Sequence, residues 1–432
     1  MFTRRLISKY FIALTLMLVL ILTGCAQPTT SSATDTPEPT PTLTVSSPTT
    51  EEPILDTPSP PTYLRLWVPP ELDPADGTRA GRLLQARLDE FAERRGVDIE
   101  VRVKALNGSG GLVDSLSAAN AAAPLALPDL VLLPHDLLEA AALKGLLIPM
   151  DEMIEPLEES DWYEYARQLA TVQNSTYGLP FAGDALILLY RPAMVAEPPH
   201  DWVSALETAT PMIFPAADEL ASFTLAQYLT SGGQLQDDEG RPMLDAETLA
   251  QVLTFFQEGN TSGLMPSWFT ELTSDDEAFA QYSENSGDMV VTWASRYLNE
   301  LPVDTAADSI PTPTGSLNTL AHGWVWALSN PQVQRHPLSV ELAEFLTHSD
   351  FLSRWSPAAG LLPPRSSALS GWFDTTTRNL VGRTVLSANI VSPADVLTVI
   401  SPALKQATMD VLNNLVDPAT AAQNAANQVL GP

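Results

Sequence analysis

Cysteine occurs once in 432 residues, at Cys25. Without a second thiol the chain can form neither an intramolecular disulfide nor a cysteine-held metal cluster. Basic residues are the next scarcity. Lys and Arg together number 22 against 52 Asp and Glu, which sets the formal net charge at −30. An acidic excess of this size opposes binding to nucleic acid or anionic lipid, because Lys and Arg carry such binding. Long apolar runs are few. The run from Phe11 to Leu22 is shorter than the roughly 20 residues a bilayer span needs. No Ser-His-Asp, zinc or nucleotide signature stands out. The glycine-rich stretch Asn107-Gly-Ser-Gly-Gly111 lacks the Lys and the spacing of a phosphate-cradling loop and reads as a flexible loop. The cluster Asp237, Asp238, Glu239 lacks the spacing of a calcium loop and, followed by Gly240, reads as a turn.

What is present divides the chain into three. Residues 1–24 read as an export signal: Arg4, Arg5 and Lys9 precede the short apolar run. That run ends Leu22-Thr-Gly-Cys25, which resembles the lipobox of bacterial lipoproteins and implies cleavage before Cys25 and lipid on its sulfur. An ordinary secretory signal with a chance Cys is the alternative. From Ala26 to Thr62 the chain is dominated by Thr, Pro and Ser, with five acids and no base. Such a composition cannot bury enough apolar surface to fold, so it reads as a tether. Its reach lies between about 35 Å as a random coil and about 115 Å if fully extended as polyproline. The remainder, about 370 residues, exceeds what one core usually supports, and two lobes are expected. The hydrophobic content is 45 %, with nine Trp. No internal repeat is found.

The remainder reads as alternating strands and helices. Leu64 to Val68 alternates as a strand. Thr78 to Arg95 has a helical apolar face, with Gly96 as its stop, and Val97 to Leu106 alternates again. Strand, helix and strand imply a parallel crossover. A small-residue helix near 112–122 leads to Pro128-Asp-Leu-Val-Leu-Leu-Pro-His-Asp136, a helix to Lys144, and Gly145-Leu-Leu-Ile-Pro-Met-Asp151. In Tyr177-Gly-Leu-Pro-Phe-Ala-Gly-Asp-Ala-Leu-Ile-Leu-Leu-Tyr190, Gly178, Pro180 and Gly183 read as turn residues, and Ala185 to Leu189 as a buried strand. Asp184 sits just before that strand. In a cleft it accepts hydrogen bonds from a ligand, and in the core it needs a partner; a solvated turn acid is the third reading. Further on, helices are expected over 217–231 and around Leu249, Val252, Leu253 and Phe256, closed by Gly259 and Gly263. Strands are expected ending at Trp293 and over His322 to Leu328, and helices from about 393 to 430.

These segments, in this order over about 63–430, resemble the extracellular solute-binding proteins of sugar ABC importers, the group to which maltose-binding protein belongs. The resemblance is carried by the Tyr177–Arg191 crossover, by Pro128-Asp129 with Gly145-Leu-Leu, by Gly232-Gly233 with Leu244-Asp245, and by Gly360-Leu-Leu-Pro-Pro-Arg-Ser-Ser-Ala368. It implies a two-lobed α/β fold of the type II periplasmic-binding-protein kind, its cleft lying between lobes joined by crossover hinges. The implied segments after the tether are 63–183 and 323–370 in lobe one, and 184–322 and 371–432 in lobe two. The implied ligand contacts are Asp184, Asp136, Glu71, Trp67, Trp293 and Trp324. Asp136 matches a sugar-contacting acid of the group and reads equally as a helix N-cap. Leu137 and Leu133 stand where that acid's basic and aromatic neighbours are expected, a departure from the maltose pattern. Trp67 and Trp202 also read as packing, and Trp326 is expected in the core. Trp268 and Trp372 are weaker cleft candidates, and His135 and Arg365 read as structural.

Sugars bury well between an aromatic face and acids or amides that accept hydroxyl protons. The expected function is therefore capture of a neutral carbohydrate, an oligosaccharide in the first instance, for an ABC permease. The protein would be a monomer anchored outside the membrane through Cys25, without cofactor, metal or nucleic acid, and not an enzyme. Lys and Arg are scarce among the site loops, which disfavours anionic ligands. Two alternatives stay open. Three carboxylates with Trp also make a box for a cation such as a polyamine. Asp136 and Asp184 would make a glycoside hydrolase if they flanked a bond at roughly 5 to 9.5 Å.

Overall fold

In the computed structural model, residues 62–431 are described, apart from 160, 209 and 392. The expected export signal, Cys25 and all but the last residue of the tether lie outside the described residues. The strands are β1 (Tyr63–Val68), β2 (Asp98–Val103), β3 (Leu130–Pro134), β4 (Thr171–Val172), β5 (Ser175–Thr176), β6 (Gly178–Tyr190), β7 (Met212–Ile213), β8 (Met289–Trp293), β9 (Ala306–Asp308), β10 (Thr319–Leu328) and β11 (Ala388–Ile390). Nine of them form one mixed sheet. Its order is β2-β1-β3-β10-β6-β8-β7, with β11 paired to β10 and β9 to β6; β4 and β5 make a separate hairpin.

The opening crossover follows from its local chemistry. Leu64 and Leu66 of β1 are buried. The Thr78 hydroxyl caps the helix Arg79–Arg95 by accepting from the Gly81 amide, and Leu84, Leu88 and Phe91 bury its inner face. Gly96 ends the helix at φ 65°, a left-handed conformation that costs glycine nothing. The chain then returns as β2, parallel to β1. At the end of β3, Asp129 receives a two-pronged ion pair from Arg335, at 2.6 and 2.7 Å. It also accepts from the Arg65 amide and from Asn330. Asp129, part of the motif that carries the resemblance, is thus a structural group.

The crossover at 177–190 differs from its sequence reading. Gly178, Pro180 and Gly183 are not in turns: β6 is one strand of 13 residues that runs through all three. The reason is β10, which runs antiparallel beside it. Ala182 pairs with Trp324 and Pro180 with Val325, so Phe181 is an extra residue on β6, and proline is tolerated at such a bulge. The two glycines serve close approach instead. A side chain on Gly178 would overlap the Trp326 carbonyl, and one on Gly183 the Tyr165 ring.

These two strands join the halves of the molecule. The first part of β6 pairs with β10, whose later residues reach β3; the second part of β6, from Leu186, pairs with β8 and β9. A third link is Leu362, which exchanges backbone hydrogen bonds with Gly183 at 3.0 and 2.8 Å. Each half has its own aromatic core. Phe181, Trp326 and Trp355 pack in the first, and Phe214, Phe223, Phe256 and Phe269 in the second.

Other boundaries moved for local reasons. The helix expected over 217–231 spans Ser222–Thr230, because the Asp218 carboxylate holds the Ser222 amide and hydroxyl and Ala221 is left-handed. The helix Ala246–Ser262 ends at Gly263 alone, and Gly259 lies inside it against Met265. The helix Thr375–Ser387 and strand β11 had no counterpart in the sequence reading. The C-terminal helices are Ala394–Leu412 and Pro418–Leu430. Asp237 and Glu239 take Arg241 as partner, and no metal-holding cluster occurs among the described residues.

Candidate functional site

Two cavities adjoin the joining strands. The first, of about 600 Å³, is lined by Glu71, Asp184, Trp293, His322, Trp324 and Trp355, with the acid-rich loop before Arg79 and the helix Ala294–Glu300. The second, of about 990 Å³, is lined by Asp136, Trp293, His322, Leu397 and other aliphatic side chains. Among the described residues only Trp293 and His322 line both. The three rings Trp293, His322 and Trp324 lie edge to face in series, with centroids 4.5 and 5.2 Å apart. They form the wall between the two chambers.

Asp184 is the acid at the centre of this arrangement. It sits mid-strand on β6, directly opposite His322 of β10, and is 3 % exposed. Its Oδ1 accepts from its neighbour's amide, Ala185, at 2.9 Å, and from the Ser295 amide, at 3.0 Å. Burial raises its pKa to about 7; the hydrogen bonds from Ser295 and Ala185 oppose the rise, and the charge of Asp275 adds to it. No arginine or lysine forms an ion pair with it among the described residues. The one base in the first chamber is Arg296, which is engaged by Asp275 at 3.2 Å, by Asp276 and by Glu300 at 3.3 Å. Asp275, itself held by the Thr292 hydroxyl at 2.6 Å, has its pKa raised by burial. His322 is pushed down to about 4 by burial and is neutral at physiological pH.

The other predicted contacts fall as follows. Glu71, on the short turn Pro70–Leu72, is solvent-exposed at the first chamber. Trp293 ends β8 and Trp324 lies on β10, both on the dividing wall. Asp136 lines the second chamber, on the far side of that wall from Asp184. It lies in the first turn of the helix His135–Leu143, whose cap position falls on Pro134. Trp67 is buried, lines neither chamber, and carries the Lys104 ammonium 4.9 Å above its ring. Trp268 packs on Phe269, and Trp372 is buried; neither lines a chamber. Trp202 stacks on Phe255 at 4.6 Å, and Trp326 is fully buried. His135 lies 2.9 Å from the Leu169 carbonyl, and Arg365 pairs with Asp161 over the Trp162 ring.

Sequence reasoning missed four groups: His322, Trp355, Ser295 and Asp275. The alternation of His322 with Trp324 along one strand was the available signal for the first. The others depend on packing between distant segments.

The cavity chemistry is specific in kind. The first chamber is walled by the rings of Trp293, Trp324 and Trp355; the indole N–H groups of Trp324 and Trp355 are buried without an acceptor among the described residues, as are those of Trp67, Trp326 and Trp372, which line neither chamber. Beside the chamber's rings stand carboxylates that can accept. A ligand suited to this chamber therefore brings donors for the carboxylates together with an apolar face for the rings.

A family model described as bacterial extracellular solute-binding protein matches residues 86–378. A maltotriose-binding protein from Pyrococcus abyssi is 29 % identical over 139 residues, which is 30 % of this chain and 31 % of that protein; the match thus spans less than a third of the relative. Among solved structures, the sugar-binding protein MalE from Xanthomonas citri superposes with a TM-score of 0.72 at 16 % identity, covering 85 % of this chain and 96 % of that one. An extracellular solute-binding protein from Staphylococcus aureus in complex with maltose gives 0.68 at 17 % identity, covering 86 % and 99 %. At these identities the structures establish the fold, which is of the periplasmic-binding-protein kind. Among the described residues no helix is long and apolar enough to cross a membrane.

Proposed function

We propose, for a chain that belongs to the bacterial extracellular solute-binding proteins, that the cleft captures a neutral carbohydrate outside the membrane and delivers it to an ABC permease. The family is one of binding proteins, not enzymes. One observation supports the carbohydrate reading: the first chamber sets the acceptors Asp184 and Glu71 against the rings of Trp293, Trp324 and Trp355, with no unengaged Arg or Lys among the described residues that line it. A sugar hydroxyl is donor and acceptor at once, and a sugar ring offers C–H faces to indole. A phosphate in the first chamber would need a free base, and Arg296, the one Arg or Lys lining it among the described residues, is already engaged.

In this reading Asp184 and Glu71 accept hydroxyl protons in the first chamber, Asp136 accepts in the second, and Trp293 and Trp324 supply the stacking faces. Lobe one comprises 63–183 and 323–370, and lobe two 184–322 and 371–432. Closure of the lobes about β6, β10 and the 360–368 segment is the signal the permease reads. Lipid on Cys25 holds the protein at the outer face of the membrane, and the Thr/Pro/Ser-rich tether lets it range from that anchor.

The test is thermal unfolding of the chain from Thr62, the first described residue, with a panel of mono- and oligosaccharides and with spermidine. A ligand at 100 times its dissociation constant adds about 2.7 kcal/mol of stability. A sugar that raises the midpoint and is recovered intact is the expected result. A response to spermidine alone would replace the carbohydrate reading with a cation-binding one.

A further inference from the structure

Of five histidines in the chain, His322 holds a place that the reading above leaves without a task. It lies on β10 opposite Asp184, between the rings of Trp293 and Trp324. It borders both chambers, a property it shares only with Trp293 among the described residues. No described group hydrogen-bonds to either of its ring nitrogens. His135, by contrast, reaches the Leu169 carbonyl, and His336 the Asn330 carbonyl, as structural histidines do.

Desolvation keeps this imidazole uncharged although carboxylates stand near it. Asp184 faces it from β6, Asp275 and Arg296 line the first chamber as a pair, and Glu71 stands at the edge of that chamber. His135, Asp136, Glu219, Asp395 and Lys405 line the second. None of these forms an ion pair with it, and burial holds its pKa near 4. A neutral imidazole presents one N–H donor and one bare nitrogen acceptor in a fixed plane. That is the complement of two adjacent hydroxyls, one accepting and one donating.

We propose that His322 reads the ligand at the junction of the chambers, exchanging one donated and one accepted hydrogen bond with neighbouring hydroxyls of a carbohydrate that crosses Trp293 with at least two rings. The inference rests on the carbohydrate reading and narrows it. A monosaccharide can fill one chamber and leave the junction unused. A longer chain must cross over the wall that the contacting rings of Trp293 and His322 form, where a wrong hydroxyl pattern leaves a nitrogen of the half-buried imidazole covered and unpaired. Asp184 then serves the ring in the first chamber and Asp136 the ring in the second.

The experiment is isothermal titration of the full-length protein in mild detergent with glucose and with α-1,4- and β-1,4-linked glucose oligomers of two to four units. The variants are His322→Phe, which keeps an aromatic ring, and His322→Asn, which keeps a donor and an acceptor. Unfolding midpoints are measured alongside. For the wild type, affinity is expected to climb at least tenfold on adding the second ring of one series. His322→Phe should lose that gain while changing glucose affinity less than threefold, and His322→Asn should recover most of it. The proposal is overturned if His322→Phe binds the trimer within threefold of wild type, or if both variants lose mono- and trisaccharide alike. An affinity that does not grow beyond glucose would also sink it while leaving the carbohydrate reading intact. Binding of spermidine with no sugar of any length would remove both. If a variant fails to fold, the imidazole C2 proton of wild-type His322 decides by NMR: its resonance moves on adding the bound oligomer, or the proposal fails.

Discussion

Two buried carboxylates, Asp129 and Asp184, invite comparison. They are 1 % and 3 % exposed, both lie on the shared sheet or at its margin, and both belong to motifs that suggested the family. Asp129 meets Arg335 in a two-pronged ion pair and fills its remaining capacity with Asn330 and the Arg65 amide. Asp184 has two amides on one oxygen, no base beside it, and a cavity in front of it. The difference separates two uses of a buried acid. Enclosed and paired, it holds segments together. Enclosed, unpaired by charge and bordering a cavity, it is poised for something that arrives.

The first way to break this comparison is to remove the paired acid. Asp129→Ala strands the Arg335 guanidinium, which is also buried, without its counter-charge. Breaking such a pair from one side costs about 3–5 kcal/mol. Urea denaturation should show that loss, with carbohydrate affinity unchanged in whatever fraction stays folded. A loss below about 1 kcal/mol would mean the ion pair is not what secures β3 to the segment bearing Arg335.

The unpaired acid predicts a different signature, one visible only against pH. Asp184 has a folded pKa raised by burial to about 7 from the ordinary 3.8 of a free carboxylate. Between those values the folded chain holds a proton that the unfolded chain has released, so this residue's stabilisation is complete below about pH 4 and is lost as pH rises through 7. His322, depressed from 6.5 to about 4, does the reverse: the unfolded chain holds the proton, and stability rises with pH from about 4 to 6.5. The two slopes oppose each other in the wild type. Asp184→Asn removes one of them. Relative to wild type the variant should gain about 2–4 kcal/mol between pH 4.5 and 8, at 1.36 kcal/mol per pKa unit. Urea melts at four pH values check this, and equal pH profiles for the two proteins would refute the pKa assignment. Carbohydrate affinity should move the other way. The charged carboxylate is the better acceptor, so wild-type binding should tighten as pH rises through 7, and Asp184→Asn should bind about tenfold or more weakly at pH 8.

A smaller effect sharpens the comparison by leaving Asp184 in place and moving its support. A methyl at Gly183 would overlap the Tyr165 ring. Gly183→Ala should therefore cost about 1–3 kcal/mol as the ring or strand shifts. Because the same strand positions Asp184, ligand affinity should fall together with stability. A drop in stability alone would show that the carboxylate is positioned from its Ser295 side.

Much of this architecture was legible before the structure. The Arg79–Arg95 helix was readable because Thr78, Gly96 and an apolar face at helical spacing all act locally. The parallel crossover followed from strand, helix and strand, while the placing of Trp293, Trp324, Asp184 and Glu71 at a cleft came from the family resemblance; all four line the first chamber. The long strand β6 was not legible. Gly178, Pro180 and Gly183 favour a turn in isolation, and only the neighbouring β10 with its bulge turns them into strand. The place of His322 was hidden for the same reason: facing Asp184 is a fact of register, and bordering both cavities is a fact of packing. Arg296 illustrates the converse. A base near the site suggests an anion, but three acids from two helices already occupy it.

A third carboxylate sets the lower limit of the comparison. Asp237 belongs to the acidic turn that could suggest a metal, yet its side chain takes the Arg241 guanidinium and the amides of Glu239 and Arg241. Those hydrogen bonds, the Arg241 side chain first among them, hold its pKa below the usual carboxylate range. The guanidinium partner itself is largely exposed. Water competes for both members of such a pair, and holding two long side chains together costs entropy, so little net stabilisation remains. Asp237→Ala should leave the unfolding midpoint where it was, at low and at high salt, and should leave carbohydrate affinity untouched. Calcium at millimolar concentration should not raise the midpoint of the wild type either. A calcium-dependent rise that disappears in Asp237→Ala would convert this turn from a capped loop into a cation site, and would show that a carboxylate can be functional without being buried.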